Sequence, residues 1–312
     1  MRPCFIKKMY ICIQLSIIYI SMEQIKNEKL TITVSEHGAE LQSIKDTEGK
    51  EYLWQADSRF WNRHSPILFP LVCGVWKDTY RTEGQEYALG RHGFARDSDF
   101  KLVKKTTERV TYVLESNEHS LALYPYHFVL SVTYRLDGNK IHVIWHVHNT
   151  DTREIHFQIG AHPAFNLPDL QPGEPMHGQL LFDNEGPLQR IVGNIEGCIT
   201  HNHSEVTTKN GVWSFNEESF KEDSVQFDHC QLHKISILDR KYNKVVTVSF
   251  NMPCVAIWSP YGKNAPFVCI EPWFGVSDHV EYDGELKDKY LMNHLLPGGS
   301  FMSEYVIEIG ES

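Results

Sequence analysis

Leu130-Ser131-Val132-Thr133-Tyr134-Arg135-Leu136-Asp137-Gly138-Asn139-Lys140-Ile141-His142-Val143-Ile144-Trp145-His146-Val147 is the stretch that decides the fold class. Leu130, Val132, Tyr134 and Leu136 alternate with Ser131, Thr133 and Arg135. Successive side chains on a strand point to opposite faces, so this pattern buries one face and leaves the other to water. Asp137 to Lys140 supply turn residues, and Ile141, Val143, Trp145 and Val147 begin a second alternation. Two alternating runs joined by so short a turn predict an antiparallel hairpin.

The same period recurs outward from the hairpin. Leu30, Ile32 and Val34 alternate with Thr31 and Thr33, and further strands are expected at Lys244 to Phe250, Val255 to Ser259, Phe267 to Glu271 and Met302 to Ile309. Helical periodicity is scarce. Ser214-Phe215-Asn216-Glu217 reads as a capping box opening a short helix through Phe220, and the segment from Leu286 to Leu296 as holding another helical turn. The proline-bearing run from Leu167 to Glu174 and the polar run from Gly193 to Lys209 read as loops. No internal repeat, low-complexity tract or interdomain linker interrupts the chain. The expectation is an all-β fold with few short helices, a single domain over residues 22–312.

Composition bounds the function. A chain of 312 residues with 41% hydrophobic and 22% charged residues can bury a sizeable core. A net charge of -10 argues against nucleic acid or an anionic membrane as the main partner. Seven cysteines (Cys4, Cys12, Cys73, Cys198, Cys230, Cys254 and Cys269) are odd in number, widely spread and lack C-x-x-C spacing. They read as reduced thiols of a cytoplasmic protein, with neither a disulfide framework nor a zinc ribbon. At the N-terminus, Lys7-Lys8 precedes a mainly apolar run from Met9 to Ile20, too short to cross a bilayer. It has the basic start and apolar middle of a signal peptide, but no small-x-small site precedes Met22. A third reading takes Met22 as the true start and residues 1–21 as a mispredicted upstream extension. The cysteine usage and the onset of β patterning favour this third reading.

The chemistry concentrates in three segments. Cys269-Ile270-Glu271-Pro272-Trp273-Phe274-Gly275 sets one carboxylate at the end of an apolar run. Pro272 cannot donate to a ladder, so the strand is expected to stop near Glu271. Arg91-His92-Gly93-Phe94-Ala95-Arg96-Asp97 and Gly160-Ala161-His162-Pro163-Ala164-Phe165-Asn166 each place a histidine beside Gly or Pro. If residues 156–162 are extended, His156, Gln158, Gly160 and His162 share one face, a polar wall for an open groove ending at His162. Taken alone, His92 reads as a polar loop histidine and Glu271 as a buried carboxylate with a structural partner. Together, two imidazoles and a carboxylate suit proton transfer at neutral pH.

These residues carry a resemblance. HGFAR at His92 to Arg96, GxHPAFN at Gly160 to Asn166 and CIEPWxG at Cys269 to Gly275 occur in the order found in the aldose 1-epimerase (galactose mutarotase) family. The chain is most similar to its LacX-like branch. The likeness runs from about residue 28 to the C-terminus, including Ser65 to Pro70 and Leu296 to Gly299. It implies a galactose-mutarotase-like β-supersandwich that interconverts the α and β anomers of an aldohexose. By resemblance Glu271 is the base, His162 the acid, and His92 a donor to the reacting oxygens. Such chemistry needs no nucleophile, metal or redox cofactor, and its partner is a small sugar bound by a monomer or homodimer.

Arg63 matches a substrate-contacting arginine of the family, and a surface ion pair is the alternative role for it. Asp228 resembles an aspartate that grips sugar hydroxyls in the galactose-acting branch, although a turn aspartate explains it as well. Gln158 joins the substrate-binding set through the strand parity above. Trp273 either stacks on a sugar ring or fills core beneath Glu271. Three rivals stand beside the epimerase: a facial metal triad of His92, His162 and Glu271, a non-catalytic sugar-binding module, and an epimerase of hexose 6-phosphates. Metal-ligand spacing is lacking for the first, and basic and acidic residues balance between Arg59 and Asp99, so neutral aldoses rank first. His146-Val147-His148 reads as hairpin surface, and Cys230 and His233 are too isolated for a zinc site.

Overall fold

The computed structural model describes residues 21–310 except 172 and 196. The leader at residues 1–21 therefore lies, apart from Ser21, outside the described residues. Strand pairing begins at once, with Met22–Lys26, Leu30–Ser35 and Leu41–Asp46 forming a three-stranded sheet.

The quoted hairpin forms as expected. Phe128–Asp137 and Lys140–Asn149 pair antiparallel, with Leu136 opposite Ile141 and Tyr134 opposite Val143. Gly138 takes a φ of 57° in the turn, a conformation that costs glycine little. The two strands lie inside a nine-stranded sheet that runs from Val212–Asn216 to Lys101–Lys105. Val132, Tyr134, Val143 and Trp145 are completely buried. At about 1.5–3 kcal/mol for each fully buried large apolar side chain, this face drives the packing.

A second, eight-stranded sheet packs on the same core. Cys198–Val206, Leu188–Ile195, Val225–Phe227, Cys254–Trp258, Phe267–Phe274, Ile159–Ala161 and Ile67–Leu68 follow one another across it, and Ala164–Asn166 also pairs with Phe267–Phe274. Val255, Ile257, Val268 and Ile270 face the core shared with the nine-stranded sheet. Cys254, Ala256, Cys269 and Trp273 belong to smaller clusters on the opposite face. The chain is thus all-β and two-layered, as expected. Among the described residues, no helix is long and apolar enough to cross a membrane.

Three local expectations change. The strand at Phe267 runs through Pro272 to Phe274. Along one edge its ladder is broken between Cys269, paired with Ala164, and Trp273, paired with Gly160. Pro272 falls in that gap, where a missing N–H costs no ladder bond on that side. The polar segment at 193–209 is not a loop. Leu188–Ile195 and Cys198–Val206 form a bulged hairpin whose outer strand is the sheet edge, where one side can stay polar. The capping box near residue 214 moves to Asn216, whose N–H bonds Ser219 Oγ, and the helix reduces to a 3₁₀ turn at Glu217–Phe220. Another 3₁₀ turn at Leu286–Asp288 is followed by the strand Asn293–Leu295. The sole α-helix among the described residues is Glu118–Leu123, capped by Asn117.

Candidate active site

The break in the ladder builds the site. Gly160 pairs with Trp273 and Ala164 with Cys269 in a common register, so His162, between them, stands directly opposite Glu271. Cross-strand neighbours in an antiparallel pair lie side by side on one face, and His162 Nε2 is 3.3 Å from Glu271 Oε2. Pro163 occupies the gap, where its carbonyl accepts from Ile270 N–H. On the other side Glu271 pairs with Ala256, a side chain too small to fill the space above the carboxylate.

His92 arrives from a loop laid across Phe69. The Phe69 carbonyl accepts the N–H groups of both Phe94 and Ala95. Gly93, at a φ of 67°, passes so close that a Cβ would stand 2.3 Å from that oxygen, so only glycine fits. His92 itself has a φ of 70°, and its Nδ1 accepts the Cys73 N–H at 3.1 Å. With Nδ1 accepting, the neutral ring carries its proton on Nε2 and is a donor there. The rings of His92 and His162 meet edge to face at 5.5 Å.

A cavity of about 150 Å³ opens over these groups, walled by Trp61, Arg91, Arg96, Asp223, Trp258 and Trp273 among others. That is well below the ~300–1,000 Å³ of pockets for drug-sized ligands, a space for one small molecule. Trp61 stacks on His162 at 4.8 Å and Trp258 meets its edge at 5.4 Å. The imidazole is therefore held by aromatic packing and not by hydrogen bonds.

Electrostatics follow from burial. Desolvation, with a further push from Asp223, raises the Glu271 carboxyl well above its ordinary range, while the Arg91 charge pulls it back down. Desolvation likewise drives His162 down to about 3, helped by the Arg96, Arg91 and Arg63 charges. His92 falls well below its ordinary value for the same first reason, then through His162 and the arginines. The ordinary order of acidity is thus inverted: of the two groups, Glu271 holds a proton more firmly than the His162 imidazole. Both Glu271 oxygens and His162 Nδ1 are buried without a hydrogen-bond partner among the described residues. Buried polar atoms are almost always paired, so these orphans, with Arg96 Nε on the same wall also lacking a hydrogen-bond partner, mark a place for a polar ligand.

The other sequence-selected residues separate. Trp273 walls the cavity, but its ring lies on Gly160 and its indole N–H bonds the Ala161 carbonyl, so it serves mainly as floor. Arg63 pairs with Asp97 at 2.7 Å, and its charge reaches both histidines without the residue lining the cavity. Gln158 is completely buried, accepting from Val72 N–H and donating to the Tyr290 carbonyl. The strand is interrupted at Gln158, and residues 155–161 are buried throughout, so no polar wall of an open groove forms. Asp228 also lies outside the cavity wall, held by the Tyr290 hydroxyl with His203 and His229 beside it. Asp223, five residues earlier, is the carboxylate that faces the cavity, paired with Arg91 at 2.6 Å. Sequence reading missed it, and its one signal was an acidic residue just before a strand. The missed aromatics Trp61 and Trp258 sit near selected motifs.

Metal chemistry has a narrower foothold than the three-residue triad. His162, Cys269 and Glu271 bring ligand atoms within 4.8 Å of one another, and His92 is not in that group. Burial, then Glu271, hold the Cys269 thiol well above its ordinary value, so it keeps its proton. Burial pushes the Cys73 thiol to about 12, which removes it as a thiolate nucleophile.

Comparison with known proteins identifies the family and the fold. Residues 22–285 match the family described as aldose 1-epimerase. The chain is 33% identical over 297 residues to the chromosomal protein LacX of Lactococcus lactis subsp. lactis, covering 92% of this chain and 98% of that one. It superposes on a galactose mutarotase related enzyme from Lactobacillus acidophilus with a TM-score of 0.87 at 34% identity, covering 94% and 98% of the two chains. A galactose mutarotase-like protein from Lactobacillus casei gives 0.85 at 29% identity, covering 93% and 100%.

Proposed function

The chain belongs to the aldose 1-epimerase family, and from that premise we propose that it is an isomerase interconverting the α and β anomers of an aldohexose in the cytoplasm. The observation that carries this reading is the orphaned set: two carboxylate oxygens and one imidazole nitrogen, buried together without partners in a cavity for one small molecule. A sugar presents there what the site lacks, a hydroxyl to donate and a ring oxygen to accept.

In the proposed reaction Glu271, as carboxylate, takes the proton of the anomeric hydroxyl, and O1 forms a double bond to C1. The C1–O5 bond breaks, and O5 receives the proton of the His162 imidazolium. Rotation about C1–C2 turns the other aldehyde face to O5, and the same steps run backwards. The reactive state carries one proton on the pair, as the resting state does. Transfer from Glu271 to His162 across 3.3 Å converts one into the other. His92 Nε2–H donates to the sugar and stabilises developing negative charge. Trp61, over the imidazole, excludes water.

A second reading rests on Arg91 and Arg96 at the cavity wall, which would suit a 6-phosphorylated aldose. Arg91 is committed to Asp223, and Arg96 donates to the Arg91 carbonyl, so neutral sugars remain first. Polarimetry of freshly dissolved α-anomers tests both readings, with neutral and 6-phosphorylated aldoses in parallel. Acceleration over buffer for a neutral hexose supports the first, and acceleration for the phosphorylated panel alone supports the second. No acceleration anywhere leaves a sugar-binding module.

A further inference from the structure

Away from the cavity, a two-stranded ribbon gathers a different set of side chains. Ile155–Phe157 pairs with Asn293–Leu295, and His156 stands directly opposite His294. Their Nδ1 atoms are 3.0 Å apart, with the rings crossing at 72°. Glu154, two residues before His156, brings a carboxylate oxygen to the same place, and the three ligand atoms lie within 4.8 Å of one another. None of these residues has a part in the proposed reaction.

We propose that Glu154, His156 and His294 form a binding site for a divalent transition-metal ion of the zinc type. Two nitrogens at ~2.0–2.1 Å from a shared zinc stand about 2.9–3.4 Å apart for angles between square and tetrahedral, which brackets the observed 3.0 Å. Two imidazoles and one carboxylate are the donor set that suits zinc, cobalt or nickel over magnesium or calcium. Glu154 and His294 are exposed and His156 is buried, so the ion would sit at the surface with water completing its shell.

The backbone around the ligands is already fixed. The Tyr124 hydroxyl donates to the His156 carbonyl at 3.0 Å. Asn293 Nδ2 donates to the carbonyls of Phe157 and Phe274, and Asn149 Nδ2 to that of Leu295. The ribbon leads directly into Ile159–Ala161, which presents His162. Through Asn293 it also holds the end of the strand that carries Glu271. An ion here would tie together the two strands of the candidate active site without entering it.

The test uses the full chain, loaded with zinc, dialysed against metal-free buffer and assayed for bound metal. Cobalt absorption reports the ligand set, and thermal unfolding is followed with and without zinc. The site predicts about one retained equivalent per chain and a zinc-dependent rise in Tm. His294→Asn and Glu154→Gln should each weaken binding at least about tenfold, since even outer-shell partners contribute that much. They should abolish the rise in Tm while leaving turnover without metal unchanged. His146→Asn, on the exposed face of the hairpin, and Glu271→Gln should keep the equivalent. No retained metal, retention unchanged in both ribbon variants, or loss with Glu271→Gln would each overturn the proposal.

Discussion

Replacing Glu271 by glutamine separates chemistry from folding at one position. The side chain is 1% exposed, and neither oxygen has a hydrogen-bond partner among the described residues, so the amide breaks no hydrogen bond and alters only the 3.3 Å contact with His162 Nε2. What it removes is the proposed base. General-base contributions run to ~10²–10⁴ in rate, or about 3–5 kcal/mol of barrier at 1.36 kcal/mol per tenfold. No second carboxylate is free to take over, because Asp223 is bound to Arg91 at 2.6 Å. The expected kcat is therefore at least about a hundredfold lower, with KM changed far less, because an amide still hydrogen-bonds a hydroxyl.

Stability should move the other way. The folded carboxyl has a raised pKa, so its contribution is complete below the ordinary glutamate value of 4.5 and is lost as pH rises through the folded value. Glutamine does not titrate, and the variant should be more stable than the parent at alkaline pH. Initial rates by polarimetry and urea unfolding at several pH values measure both halves. An intact kcat with a raised KM would make Glu271 a binding residue and refute the proton-transfer reasoning.

His162 titrates with the opposite sign. Its folded value of about 3 lies below 6.5, so its contribution is present above 6.5 and is lost as pH falls toward 3. His162→Asn should flatten that acid limb of the urea-derived stability and reduce kcat more than it alters KM. Gly93→Ala should cost more than about 1 kcal/mol in urea unfolding, because Ala must accept a φ of 67° against the Phe69 carbonyl. It should also lower kcat by displacing His92. Lys289 is buried, with Nζ 2.7 Å from both Asp278 Oδ1 and the Val276 carbonyl. Lys289→Met removes the cation beside buried Asp278 and leaves it only the Trp76 N–H at 2.9 Å, and should destabilise the fold by about 3–5 kcal/mol by the same assay.

Strand identity was readable in the central hairpin, where one face is buried and the other wet, while the alternating strand Arg109–Glu115 was not singled out. Residues 128–149 alternate over two strands, and the pairing follows the pattern residue for residue. The Cys198–Val206 strand escaped because its polar residues sit on a sheet edge, where alternation has little to bury. Glu271 and His162 were readable as motifs, but their juxtaposition was not, since it depends on two short strands sharing one register across a proline gap. Gln158 and Asp228 show the reverse failure. Both are polar residues near motifs, yet each side chain is held away from the cavity by partners that lie far away in sequence, Val72 and Tyr290. Asp223 belongs to the cavity through its pairing with Arg91, a contact across 132 residues that no local pattern encodes.

The central claim is that the buried Glu271 and His162 pair opens and closes a sugar ring by moving protons. Anomer exchange of an aldohexose carrying ¹³C at C1 and ¹⁸O on its anomeric oxygen, followed by NMR with purified protein in D₂O, tests it most directly. The account predicts α-to-β exchange well above the buffer rate, with the ¹⁸O retained during exchange and no deuterium at C1 or C2, and with the acceleration lost in Glu271→Gln. Exchange no faster than buffer, or acceleration that survives Glu271→Gln, would contradict it.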